Sequence, residues 1–479
     1  MNLSDKALRR LTLAAAVVFL VLAAVGCTGL LWYDEQFSAV LARHSWGELI
    51  SLTAQDVHPP LYYLILKALC MLPDALWPGL YTVCCQVVSL LAYAGALLAA
   101  GLWGGRLFGA RTGLLAVVCL GCMPSVMDYA TEARMYSWGL LFVLLGALCA
   151  VEWLHAPRPV WAVGTGLFAA ASLYTHYWAG AAAGMCLFCL AVLALVRRQP
   201  RRCAGLLAAG VGALILFAPW VPVLLTQMGG TASEGETVPL SLYLIRGYLE
   251  FLFSSGWGPL TLLNLLAIAA GVAAFGLRGR ADGPAAEGLA LAAAAGLTLL
   301  VGMAAQQLLH PTRVIFQGRY LVPALGLLWL GVAALWGRCL PRALAAGVLV
   351  ICLACGAMNT AELWAEAGQE RTEYARLTQA LAAVEPGEPV LADNYYRAAF
   401  AACYLPDSPI VGLSGEWEFR IRMFGLQTEG EEDCRWLICG SWIPQEKMDP
   451  LGLIPAGEGT SFTAKEDEYR FLPLKPAQP

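Results

Sequence analysis

The stretch Leu11–Phe37 reads LTLAAAVVFLVLAAVGCTGLLWYDEQF, and its reading decides the fold. No charge interrupts it between Leu11 and Tyr33. An α-helix needs about 20 mostly apolar residues to cross the hydrocarbon of a bilayer, so 11–31 reads as a spanning helix. Arg9 and Arg10 precede it, and the acidic pair Asp34-Glu35 follows it inside Trp32-Tyr33-Asp34-Glu35-Gln36-Phe37. A basic flank before an apolar run also describes a secretory leader. The most distinctive motif of the chain follows this run, and no Ala-x-Ala-like cleavage site stands out. The segment is therefore expected to be retained as a span.

The same preference for lipid runs through the whole chain. Its 479 residues are 59% hydrophobic and 13% charged, with a mean hydropathy of +0.64. Soluble domains carry about 25% charged residues; this chain has too little polar surface to cover a water-facing globule. A formal net charge of −4 with no basic tract argues against a nucleic-acid partner. Most of the 16 cysteines lie in apolar runs. The pairs Cys119/Cys122, Cys186/Cys189 and Cys352/Cys355 have CxxC spacing but no neighbouring histidine or carboxylate, so they read as small apolar packing residues. A disulfide among Cys403, Cys434 and Cys439 is an open expectation.

About eleven spans are read, near 11–31, 80–103, 113–128, 136–155, 160–178, 180–196, 204–224, 258–277, 287–308, 320–337 and 343–362. The basic loops fix their orientation. Arg9/Arg10, Arg106/Arg111, Arg158, the run Arg197 to Arg202, Arg278/Arg280 and Arg338/Arg342 all fall on one side. The N-terminus is therefore expected in the cytoplasm and the C-terminal part outside. Leu61–Leu72, after His58-Pro59-Pro60, is too short to span and reads as a helix lying in the outer interface, as does Leu242–Phe253. From 363 on, charge density rises. A helix from Leu363 to Val384 and strands at Val390–Ala392 and Arg435–Cys439 predict a small outer α/β domain. The fold class is thus an all-α polytopic membrane protein with a C-terminal α/β extracytoplasmic domain, divided 1–362 and 363–479.

Ionisable residues gather in the predicted outer loops. Asp34 and Glu35 stand in an aromatic, partly dry setting, where burial tunes a carboxylate's basicity. His58 precedes the double proline. Glu132, Arg134 and Tyr136 lie at the outer start of the fourth span, and arginine suits phosphate through paired N–H groups. His176 caps the fifth span. Arg313, Arg319 and Tyr320 lie in 310–323, where basic residues break the positive-inside rule; an anionic lipid headgroup would explain them. Helix centres are almost free of charge, which favours chemistry at the outer interface over transport across the membrane.

The sequence resembles glycosyltransferase family 39, the GT-C-fold group of protein O-mannosyltransferases and the bacterial aminoarabinose transferase. The residues that carry the resemblance are Asp34-Glu35, His58-Pro59-Pro60-Leu61-Tyr62-Tyr63, Glu132-Ala133-Arg134-Met135-Tyr136 and Arg319-Tyr320. It covers the transmembrane part, and the C-terminal domain matches no pattern. The resemblance implies a multi-pass enzyme that moves a sugar, mannose or another hexose or pentose, from a polyprenyl phosphate to an extracytoplasmic hydroxyl. The acceptor would be a protein, a lipid or a cell-envelope glycan. It implies Asp34 as base, with Glu35 orienting the acceptor or supporting Asp34. Arg134 and Arg319 would hold the phosphate, with His58 and Glu132 positioning it. A divalent cation is a candidate cofactor, with Asp34, His58 and Glu132 as candidate ligands. No Gly-rich phosphate loop is present, which favours a lipid-linked donor over a nucleotide sugar. A flippase for a lipid-linked sugar is the first alternative; it would show charged or broken helix centres and related halves. A non-catalytic membrane scaffold is the second.

Overall fold

A computed structural model describes residues 4–230, 241–253, 258–278, 283–309, 316–413, 418–440, 445–464 and 467–476. Helices lie at all eleven expected span positions. Nine helices among the described residues are long and apolar enough to cross a membrane. The other two expected spans are Ala110–Cys122, at 13 residues, and Pro159–Thr175, at 17 residues. Both fall short of the ~20 residues a full crossing needs.

The spans expose apolar side chains as no soluble protein would. Val21, Val196, Leu214, Ile215, Leu300 and Val350 are each at least 60% exposed. Such a surface is stable only against lipid, and the chain is a multi-pass membrane protein. The apolar helix Val322–Cys339 is instead enclosed, with Trp329 and Trp336 fully buried. Small residues let its neighbour come close. A Cβ on Gly331 would stand 2.4 Å from the Gly288 carbonyl oxygen of the helix Pro284–Leu309. Buried polar groups are bonded across helices: Trp336 Nε1 donates to Ala267 O (2.8 Å), and Asn359 Nδ2 to Cys122 O (2.7 Å). Lipid cannot satisfy such groups. Glu287, 1% exposed, accepts from Arg197 Nη1 at 2.6 Å and pairs with His155 Nε2 at 2.8 Å.

Two expectations need correction. Residues 32–79 are not a loop with one helix: Tyr33–Arg43, Trp46–Thr53 and Leu61–Leu76 are all helical. Ser45 caps the second of these by accepting from Glu48 N, a start signal that the capping-box spacing of Ser45 and Glu48 supplies. The last span and the following helix are one helix, Arg342–Leu381, because no glycine–proline break separates Leu363 from the apolar run.

The chain divides into two compact units: 1–25, 57–62 and 89–363 form the first, and 26–56, 63–88 and 364–479 the second. The second unit therefore includes the Asp34 segment. Among the described residues its sheet has seven strands: β1 (Val390–Ala392), β2 (Ile410–Gly412), β3 (Leu426–Gln427), β4 (Trp436–Cys439), β5 (Leu453–Pro455), β6 (Thr460–Ala464) and β7 (Asp467–Pro476). β3, β2, β1 and β4 are parallel neighbours; β7 pairs antiparallel with β4, β5 and β6. Leu391, Val411, Leu437 and Leu472 form its apolar core. Among the described residues no cysteine is in a disulfide, Cys403, Cys434 and Cys439 included.

Candidate active site

In the first unit, the predicted residues from three other segments meet around His176. Its ring centroid lies 5.5 Å from that of His58, 5.9 Å from Tyr136 and 4.9 Å from Tyr320. The Arg319 guanidinium lies 6.0 Å from the Tyr320 ring. His58, Glu132, Arg134, Tyr136 and His176 are all buried. His176 N-caps the helix Tyr177–Val196, its Nδ1 accepting the Trp178 N–H at 3.1 Å. Burial, then the neighbouring His58, Arg134 and Arg319, push its pKa well below the usual histidine range. A neutral imidazole that accepts at Nδ1 carries its proton on Nε2, and so presents a donor.

Glu132 and Arg134 sit in a tight turn before the helix Tyr136–His155, with Arg134 N donating to Glu132 O at 2.6 Å. Ser89 Oγ donates to the Arg134 carbonyl at 3.3 Å. Tyr129 joins the cluster, its ring 5.1 Å from Tyr136, and the Ser137 hydroxyl donates to its carbonyl at 2.7 Å. The Tyr129 hydroxyl is pushed up by burial and by Glu132, while Arg319 opposes this. The Tyr136 hydroxyl is buried with no hydrogen-bond partner among the described residues. Two guanidiniums against Glu132 leave an excess of positive charge in a dry setting, which is what an anion requires. Beside the cluster lies a cavity of about 650 Å³ lined by Tyr248, Phe251, Gln306, Phe316, Gln317 and Gly318, the last adjoining Arg319. Phe251 packs 6.1 Å from Tyr129. Arg313 lies outside the described residues.

In the second unit, Asp34 and Glu35 open the helix Tyr33–Arg43. Glu35 is 2% exposed, and its carboxylate accepts the Trp32 N–H at 3.2 Å. It therefore fixes the first turn, while Asp34 beside it is half-buried. The C-terminal segment grips this region. The Tyr404 hydroxyl takes the Leu31 N–H at 2.7 Å and donates to Gly29 O at 3.0 Å. Gln36 Nε2 donates to Leu31 O (2.6 Å) and to the Tyr469 hydroxyl (3.3 Å). Arg43 donates to Cys403 O (2.8 Å) and pairs with Asp74 (3.0 Å). Gly29 has φ +84°, a region that favours glycine. Tyr404 and Tyr469 carry no motif, and only the folded contact reveals them. Among the described residues no group of three or more His, Cys, Asp and Glu gathers to hold a metal ion.

No protein-family model matches this chain, and no curated protein matches it in sequence. Solved structures do. ArnT from Cupriavidus metallidurans bound to undecaprenyl phosphate aligns over 96% of this chain and 97% of its own, at 14% identity and TM-score 0.61. Its apo state aligns over the same shares at 13% identity and TM-score 0.61. The oligosaccharyltransferase AglB from Archaeoglobus fulgidus, in complex with an inhibitory peptide and a dolichol-phosphate, covers 89% of this chain and 69% of its own, at 10% identity and TM-score 0.45. The fold is the GT-C glycosyltransferase fold, and family 39 is not singled out within it. The likeness also reaches past the transmembrane part, to which the sequence resemblance was confined.

Proposed function

We propose that this chain is a membrane glycosyltransferase that takes a sugar from a polyprenyl-phosphate donor and passes it to a hydroxyl outside the cytoplasm. The observation that carries the reading is the cation-rich cluster of buried Arg134, half-buried Arg319 and buried His176 among apolar helices. A polyprenyl phosphate keeps its tail in lipid and its charge at the interface, and a cluster of this kind suits it. The neighbouring cavity has the size of a ligand site and suits the donor's end nearest the phosphate. The fold shared with ArnT, whose structure holds undecaprenyl phosphate, supports the same reading.

In the reaction, the acceptor oxygen attacks the anomeric carbon as Asp34 takes its proton. The bond from that carbon to the phosphate oxygen breaks, and polyprenyl phosphate leaves with the electron pair. One displacement inverts the anomeric centre. Arg134, Arg319 and the Nε2–H of His176 would stabilise the charge growing on the leaving phosphate. Glu35 acts through Asp34, by fixing its turn. The sugar is a hexose or a pentose; mannose is one candidate.

The test offers purified protein in detergent a panel of radiolabelled polyprenyl-phosphate sugars, beside Asp34→Asn. Sugar release is expected from at least one donor, and a loss of at least ~100-fold in the variant, the lower end of what a general base contributes. Asp34→Asn should insert and fold like the parent. Undiminished turnover in the variant removes Asp34 as base. No release from any donor by folded protein shifts the assignment to a flippase of the lipid-linked sugar.

A further inference from the structure

Beside Asp34, in the same unit, the C-terminal segment builds a wall of aromatic rings and one guanidinium. The Tyr33 ring lies 4.4 Å from Tyr396 and 5.7 Å, edge-on, from Tyr395. Tyr395 and Tyr396 stack at 4.2 Å. The Arg420 guanidinium carbon sits 3.3 Å from the Tyr395 ring centroid. Tyr395 and Tyr396 open the helix Tyr395–Tyr404, whose start is capped by Asn394 Oδ1 accepting from Tyr396 N (3.0 Å). Arg420 belongs to the helix Glu418–Phe424. The same helix Tyr395–Tyr404 ends in Tyr404, the residue bonded to Gly29 and Leu31. The wall and the Asp34 turn are thus held in one register.

Exposure separates this wall from ordinary packing. Glu35, Gln36 and Phe37 face inward and are buried, whereas Tyr33, Asp34, Tyr395, Tyr396 and Arg420 are all half-exposed. Burial, then Tyr395, Asp34 and Asp56, push the Tyr33 hydroxyl up, while Arg420 opposes this, so all four groups lie near it. An acceptor hydroxyl that gives its proton to Asp34 must come within hydrogen-bond reach of it. The rest of that acceptor then covers the half-exposed neighbours. Those neighbours offer flat apolar faces with phenol and guanidinium groups at their edges. Sugar rings match this combination, with C–H faces for the aromatic surface and a ring of hydroxyls for the polar edges.

We propose that Tyr33, Tyr395, Tyr396 and Arg420 form the acceptor subsite of this enzyme, and that the acceptor presents a carbohydrate hydroxyl. This rests on the glycosyltransferase reading. Full-length protein is first tested for binding of trisaccharides of glucose, mannose or N-acetylglucosamine by intrinsic fluorescence, without donor. At least one is expected to bind the parent, and Arg420→Gln is expected to weaken it about tenfold, the effect of one hydrogen bond from a charged donor. With donor present, Arg420→Gln and Tyr395→Leu should shift the partition of released sugar from the trisaccharide towards water, and Arg420→Lys should recover part of it. Melting temperature and circular dichroism establish that the variants fold. The binding arm decides the subsite even when no donor turns over, and so separates its failure from failure of the enzyme reading. Absence of saccharide binding by the parent overturns the proposal. So does an unchanged partition in both folded variants, or transfer to a serine- or threonine-containing peptide in preference to every saccharide.

Discussion

Arg134 and Arg319 come from segments far apart in sequence, one in a turn before the helix Tyr136–His155 and one in the short 3-10 turn Gly318–Leu321. Both act electrostatically on His176. Charge-assisted hydrogen bonds contribute roughly 1.5–3 kcal/mol each. Arg134→Ala is therefore expected to raise the donor's half-saturation about 10- to 100-fold; normal donor affinity and turnover in this variant would remove the phosphate role. His176 carries a second prediction. Its folded pKa lies below its unfolded value of 6.5, so the unfolded chain binds the extra proton first. The resulting stability is present above about pH 6.5 and is lost as pH falls below it. Thermal melts in detergent from pH 8 to pH 5 should drop through that window, and His176→Gln should flatten the drop. An equal drop in His176→Gln would assign the effect to other groups.

At the scale of elements, the enclosed helix Val322–Cys339 depends on small residues at its closest contact. A Cβ on Gly331 would lie 2.4 Å from Gly288 O and 2.6 Å from Ala292 N, and neither backbone atom can move aside alone. Helices in lipid associate largely through such close packing. Gly331→Ala is expected to cost about 1–3 kcal/mol, the usual range for overpacking, read as a lower melting temperature in detergent. A melt unchanged from the parent would show that the two helices separate readily. The positions of the spanning helices were legible in the sequence because apolar runs and basic loops are local signals. The strands β2, β3, β5, β6 and β7 were not read. β2 and β5 have three residues each and β3 two, too few to establish a period. β7 carries two prolines, Pro473 and Pro476, which argue against a strand in sequence.

For the whole molecule, we propose from the basic loops that the N-terminus lies inside and the C-terminal part outside. A phosphatase fused after Pro479 should be active, since that enzyme works only outside the cytoplasm, and a fluorescent protein at the same position should be dark. The reverse pattern would invert every loop and take Asp34 and Arg134 to the cytoplasmic side.

The sequence by itself determined that this protein lives in lipid and where its spanning helices run. It also showed which ionisable residues are candidates for chemistry, because hydropathy and charge act over one helix length. It read Asp34-Glu35 as a loop pair and the residues after 363 as a separate domain. Only the tertiary structure decided that Glu35 caps a helix start, that His176 is the hub of His58, Tyr136 and Tyr320, and that Tyr404 and Tyr469 grip the Asp34 segment from more than 370 residues away. Those contacts join residues distant in sequence, through single hydroxyls and rings that leave no periodic trace. They exist only once the chain has closed on itself.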